Sequence, residues 1–288
     1  MAEPEAAPTA GREPFGSRLS RAMAHRGPLC VGIDPHPGLL KAWGLNDDAA
    51  GLERFSLTVV EAVGSLAAAV KPQVALYERH GSAGIAVLER TLASAADAGV
   101  LTIADAKRGD IGSTMAAYAD AWLRDGSSLA ADSVTLSPYL GFESLRPALD
   151  LAAEYGRGVF VLALTSNPEG ASVQHVGGVD SVARRIVEAA AGENSRYPGA
   201  LGSVGLVVGA TVGGALQDLQ LDLAAVRGII LAPGLGAQGA TAADLKETFG
   251  SAYAQVLGTS SRDILSAGPA VGALRDAARR TLEPLLAR

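Results

Sequence analysis

Lysine is scarce in this sequence, with four in 288 residues, although arginine is abundant. Cysteine is scarcer still: Cys30 stands alone, so no intrachain disulfide can form. Its place inside P-L-C-V-G-I marks a buried thiol rather than a reactive one. No stretch of about 18 apolar residues runs free of charge, which leaves no candidate membrane span. The opening M-A-E-P-E-A-A-P-T-A-G-R-E-P carries acids and prolines where a signal peptide needs a basic region and then an apolar one, so a cytoplasmic protein is expected. A net charge of -6 supplies no broad basic surface for a polyanion, which argues against nucleic acid as a partner. Histidine is sparse and unpatterned. His25 and His80 are isolated, His36 and His175 fall in loop-like stretches, and no H-x-x-x-H or Cys/His spacing occurs. A G-x-S-x-G elbow is missing as well, so metal and serine hydrolases are both disfavoured.

What is present is a series of short apolar runs. After residues 1–14, whose Pro, Ala and Glu without apolar periodicity predict a flexible tail, they recur at 29–34, 69–76, 100–105, 133–137, 159–164, 204–209, 228–233 and 255–259. Each is continuous rather than alternating, as in parallel strands buried on both faces. Between them lie stretches with helical periodicity, such as G-I-A-V-L-E-R-T-L-A-S-A-A-D-A and V-A-R-R-I-V-E-A-A-A. Eight strand–helix units with right-handed crossovers predict an α/β fold, a single-domain (β/α)8 TIM barrel over residues 15–288, with a doubly wound open sheet as the alternative. Two long loops, 35–48 and 165–178, follow strands and belong on the catalytic face of such a barrel.

Two of the four lysines, Lys71 and Lys107, fall in or at the end of these strands. A buried ammonium is costly without a partner, so carboxylates are expected beside them, and Asp34 and Asp105 end the first and third strands. Strand alternation over Asp105-Ala106-Lys107 points both charges to one side, into the barrel mouth, where Lys71 and Asp34 can join them. A purely structural set of salt bridges would add little stability compared with apolar packing. A second theme is phosphate. L-A-P-G-L-G-A-Q-G-A (231–240) follows strand seven and G-T-S-S-R-D (258–263) follows strand eight, where barrels often hold a phosphate on backbone N–H groups. Arg262 is the natural side-chain donor there, with Gln238 close by.

Taken together, Asp34, K-P-Q-V-A-L-Y-E (71–78), D-A-K-R-G-D-I-G-S-T (105–114), S-P-Y-L-G (137–141), T-S-N-P-E-G (165–170), A-P-G-L-G-A-Q-G (232–239) and S-S-R (260–262) resemble the orotidine 5'-monophosphate decarboxylases, most closely their longer bacterial branch. The resemblance runs in order from about residue 15 to 270. It implies a dimeric β/α barrel, without cofactor or metal, that converts orotidine 5'-monophosphate to uridine 5'-monophosphate in de novo pyrimidine biosynthesis. By the same resemblance Lys107 is the proton donor to pyrimidine C6, Asp105 faces the substrate carboxylate, and Lys71 links Asp105 to the ribose. Asp34 binds ribose hydroxyls. Asp110 and Thr114 reach the site of the neighbouring subunit, Ser137 meets the pyrimidine, and the phosphate is held by Gln238 and Arg262 beside Pro233. The short-barrel branch has D-I-P after the lysine, where this chain has Asp110-Ile111-Gly112.

Three other readings are compatible with parts of the pattern. Sugar-phosphate barrels that share D-x-K-x-x-D stabilise an enediolate with magnesium. A Schiff-base aldolase would use Lys107 or Lys71 as a neutral amine, which flanking carboxylates oppose. A nucleotide-binding module would bind uridine monophosphate without turnover.

Overall fold

The computed structural model describes residues 11–197, 201–236 and 239–287. Eight parallel strands close in sequence order: β1 (Leu29–Ile33), β2 (Ala69–Pro72), β3 (Leu101–Arg108), β4 (Ser133–Leu136), β5 (Gly158–Leu164), β6 (Gly202–Val208), β7 (Gly228–Pro233) and β8 (Val256–Ser260). β8 pairs back onto β1 through Leu29–Gly258, Cys30–Thr259 and Val31–Ser260, which makes the sheet a barrel and excludes the open alternative. Helices lie outside it, among them Ala49–Val63, Gly81–Asp97, Gly112–Leu123, Arg146–Glu154, Val182–Asn194 and Val271–Leu286.

The strands read as continuous apolar runs because both faces are covered. Outward residues such as Val31, Ile33, Val70, Ala104, Val134, Val159, Val161 and Ile230 pack against the helices, and Cys30, Ala69, Ile103, Phe160, Ile229 and Leu257 fill the interior. The helix Phe15–Arg26, which precedes β1 and belongs to none of the eight units, inserts Phe15, Leu19 and Met23 into this inner cluster. It closes the barrel at the N-terminal end of the strands. Phe15 meets Phe160 edge to face at 6.0 Å. Only glycine fits at 158, since a Cβ there would stand 2.1 Å from the Phe15 ring.

Two strands depart from the sequence expectation. The run 69–76 stops being a strand at Pro72, because Ala75–Glu78 forms a helical turn that buries Tyr77 and bonds its hydroxyl to Ser56 Oγ at 2.8 Å. β3 instead runs past Asp105 to Arg108. Between the pairs Ala104–Val134 and Arg108–Leu136 it spends four residue steps where β4 spends two, which is a bulge. At the other margin of the domain, Arg12 bonds Asp125 Oδ1 at 2.9 Å and the Tyr155 carbonyl at 3.0 Å. The end of the expected flexible tail is therefore docked on the barrel before the first helix begins, and residues 1–10 of it lie outside the described residues.

Candidate active site

The interior changes character toward the C-terminal ends of the strands. A cavity of about 300 Å³ opens there, lined on one side by Asp34, Lys71, Gln73, Asp105, Lys107, Thr135 and Thr259, and on the other by the apolar Leu162, Val207 and Leu231. Its rim includes His36 and Thr165 from the two long loops, and Pro233, Ser261 and Arg262 from the ends of β7 and β8.

Asp105 is the centre of the charged side, and it is buried. Oδ2 accepts from Lys71 Nζ at 2.9 Å and from Gln73 Nε2 at 3.0 Å. Oδ1 accepts from Lys107 Nζ at 2.5 Å and from Thr135 Oγ1 at 3.0 Å. Four donors thus meet the roughly four lone-pair sites of one carboxylate. Burial by itself would raise the Asp105 pKa, but the ammoniums of Lys71 and Lys107 outweigh it and hold the carboxyl well below the usual range. Burial would likewise lower Lys71, and the carboxylates of Asp105 and Asp34 overcome it and hold the amine above the ordinary lysine value. Lys71 is therefore a cation, which removes the neutral amine that a Schiff-base mechanism needs from it. With both oxygens of Asp105 facing ammoniums, the positive surroundings also oppose a divalent metal at this carboxylate.

The two lysines differ in access. Lys71 is buried, whereas the Lys107 side chain is 46% exposed into the cavity. Lys107 reaches Asp105 through the bulge, with its backbone left-handed at φ 48°. Plain alternation therefore names the right side of the sheet but not the geometry that brings the two charges together. Asp34, just past β1, accepts from Ser261 Oγ at 2.5 Å through Oδ2, while its buried Oδ1 has no hydrogen-bond partner among the described residues.

Of the remaining residues expected from the sequence, Pro233 and Arg262 line the cavity, and Gln238 lies outside the described residues. Ser137 follows β4 and donates its N–H to the Arg108 carbonyl at 2.7 Å, without lining the cavity. Gly109 permits this approach, because a Cβ there would fall 2.3 Å from the Ser137 carbonyl oxygen. Asp110 and Thr114 also lie outside the cavity of their own chain. Asp110 Oδ1 accepts the Ile111 N–H at 2.8 Å, and Thr114 is exposed in the first turn of the helix Gly112–Leu123. Sequence reasoning gave no role to Thr135, Gln73 or the apolar wall, quoted Ser261 only within S-S-R, and set His36 aside as a loop residue, although all of them line the cavity. Thr135 was within reach of the same period-two argument applied to Asp105, since it follows Ser133 on the inward face of β4.

The family model described as orotidine 5'-phosphate decarboxylase / HUMPS matches residues 27–277. The chain belongs to this family. An orotidine 5'-phosphate decarboxylase of Salinispora arenicola is 60% identical over 94% of this chain and 96% of its own. A crystal structure from Streptomyces avermitilis, described as a candidate orotidine 5'-phosphate decarboxylase, shares 57% identity over 99% of both chains with a TM-score of 0.92. The OMP decarboxylase structure of Leishmania donovani is 32% identical, covering 95% of this chain and 98% of that one, with a TM-score of 0.75. Within the family, relatives this similar place the chain among the decarboxylases of orotidine 5'-phosphate, carboxy-lyases of pyrimidine biosynthesis. Among the described residues, no helix is long and apolar enough to cross a membrane.

Proposed function

We propose that the decarboxylation proceeds without cofactor or metal, with Lys107 stabilising and then protonating a carbanion at pyrimidine C6. The observation that carries this reading is Asp105 held between two ammoniums, one buried and one facing the cavity. The C6–carboxylate bond breaks, its electron pair stays on C6 in the plane of the ring, and carbon dioxide leaves. That charge cannot spread into the π system, so it must be met where it forms. An ammonium fixed about 4 Å away supplies roughly 4 kcal/mol at an effective dielectric of 20 and needs no reorganisation during the reaction. Lys107 Nζ then gives its proton to C6. Asp105, kept ionised by its four donors, orients Lys107 and repels the departing carboxylate, and Lys71 neutralises Asp105 on its buried side.

In this reading Asp34 takes the ribose hydroxyls, for which its buried Oδ1, without a partner among the described residues, is suited. Leu162, Val207 and Leu231 cover the base, and Arg262 with Gln238 holds the phosphate at the rim. Asp110 and Thr114 serve a second copy of the chain. Support comes from exposed apolar side chains: Ile111, next to Asp110 in the sequence, and Tyr139 and Leu140, in the loop that follows β4, are surface residues of the kind that a homodimer buries.

The test is the loss of orotate absorbance when the purified protein meets orotidine 5'-monophosphate in excess chelator, beside Lys107→Ala. The expected outcome is rapid loss for the wild type and a fall in kcat of at least about 1,000-fold for the variant. Loss that requires added magnesium, or persists in Lys107→Ala, would refute the proposal.

A further inference from the structure

We propose that Thr135 is a positioning residue for decarboxylation: its hydroxyl ties Lys107 to Asp105 and holds the left-handed backbone at Lys107. The inference rests on the role of Lys107 proposed above. Thr135 sits on β4 facing inward and is almost fully buried. Its Oγ1 lies 2.9 Å from the Lys107 backbone N–H and 3.0 Å from Asp105 Oδ1. An N–H can only donate and an ionised carboxylate can only accept, so the single hydroxyl proton must point at Asp105. One side chain thus fixes both members of the pair, the backbone of one and the carboxylate of the other.

The bulge explains why a hydroxyl is needed there. β3 spends four residue steps against two on β4, so the Lys107 N–H is carried out of register with the β4 backbone. A side-chain oxygen from β4 fills the place that a ladder carbonyl would have taken. On the outer face the next residue is held independently. Arg108 pairs with Glu78, donates to the Ala106 carbonyl at 3.1 Å and lies over the rings of Tyr118 and Trp122 at 5.7 and 5.9 Å. With Arg108 fixed outside and Thr135 bonded inside, the backbone at Lys107 has little room to relax out of its left-handed conformation, one that L residues rarely adopt. Removing the hydroxyl frees the inner anchor and lets the ammonium drift from C6.

Thr135→Val keeps the shape and removes the hydroxyl; Thr135→Ser keeps the hydroxyl and removes a methyl. The measurements are kcat and KM for orotidine 5'-monophosphate, the Kd for uridine 5'-monophosphate and Tm, with wild type and Lys107→Ala in the same assay. A misplacement of about 1 Å corresponds to about a 100-fold loss in kcat, and that loss is expected for Thr135→Val with KM and Kd changed less than about fivefold. Thr135→Ser is expected within about fivefold of wild-type kcat. A kcat within threefold of wild type for Thr135→Val, or an equal fall in Thr135→Ser, overturns the proposal. If Thr135→Val does not accumulate folded, Thr135→Cys replaces it, because a thiol is a weak donor and acceptor of similar size; about tenfold loss is expected, and unchanged kcat overturns the proposal. Failure of the decarboxylase reading is separately visible, as absent wild-type turnover or undiminished turnover in Lys107→Ala.

Discussion

At the N-terminal end of the barrel, the inward positions of β2, β3 and β8 are Ala69, Ile103 and Leu257, packed under the helix Phe15–Arg26. Two residues further along the same strands, roughly 6.6 Å higher, they are Lys71, Asp105 and Thr259. The alternation that places side chains is the same at both levels, and only the residue types differ. Below, apolar side chains plug the barrel and stabilise it. Above, the strands hold charges apart from water on a scaffold that the lower level keeps rigid. The contrast teaches that the site takes its precision from strand positions rather than loops, and that stability and chemistry can be perturbed separately by choosing the level.

The largest effect that would sharpen this contrast is expected from Asp105→Asn, which strikes both properties. It removes the partner of a buried ammonium, and breaking one side of a buried ion pair costs about 3–5 kcal/mol. The pH dependence has a definite sign. Asp105 is held below the ordinary carboxylate range, so its stabilisation is present above the unfolded value of about 3.9 and is lost as the pH falls. Lys71 is held above the ordinary amine range, so its contribution is present below about pH 10.4 and is lost as the pH rises past its folded value. Urea midpoints for wild type and Asp105→Asn should therefore differ most between about pH 5 and 9 and converge in acid. A difference that is constant with pH would mean that the pair does not titrate as a buried pair.

Phe15→Ala tests the other level. Emptying a fully packed aromatic position costs about 3–5 kcal/mol, here read as a lower Tm. At a temperature where the variant stays folded, kcat/KM should remain within about twofold of wild type. A large loss of kcat/KM under that condition would break the comparison, because it would show that the plug also sets the geometry of the charged layer.

How much of this was legible beforehand follows from the same two levels. The eight strands could be located because parallel strands covered on both faces appear as unbroken apolar runs, and their observed bounds fall within a few residues of those runs. Lys71, Asp105 and Lys107 stood out because charge is conspicuous in such runs. Thr135 did not, since a threonine in V-T-L reads as an ordinary β-branched strand residue and its value depends on the bulge in the neighbouring strand. The bulge left no mark of its own: A-D-A-K-R contains no glycine or proline to announce it. The plugging helix was missed as a barrel element for a different reason. Its apolar stripe, Phe15, Leu19 and Met23, is clear at helical spacing, but only the closed sheet shows what it covers.

Cys30 lies between the levels and gives the smallest and sharpest test. It faces inward on β1, in the plugged cluster, yet close enough to Lys71 and Thr259 that both act to lower its pKa. Burial prevails and pushes the thiol up to about 12. If the lower level is as dry as its packing indicates, a thiol reagent at pH 8 should leave the native protein unmodified for hours and label one equivalent promptly in denaturant. Labelling should then report opening of the barrel, so Phe15→Ala should accelerate it while Lys107→Ala should not. Equal acceleration by both variants would mean that the boundary between the dry and charged levels lies below Cys30.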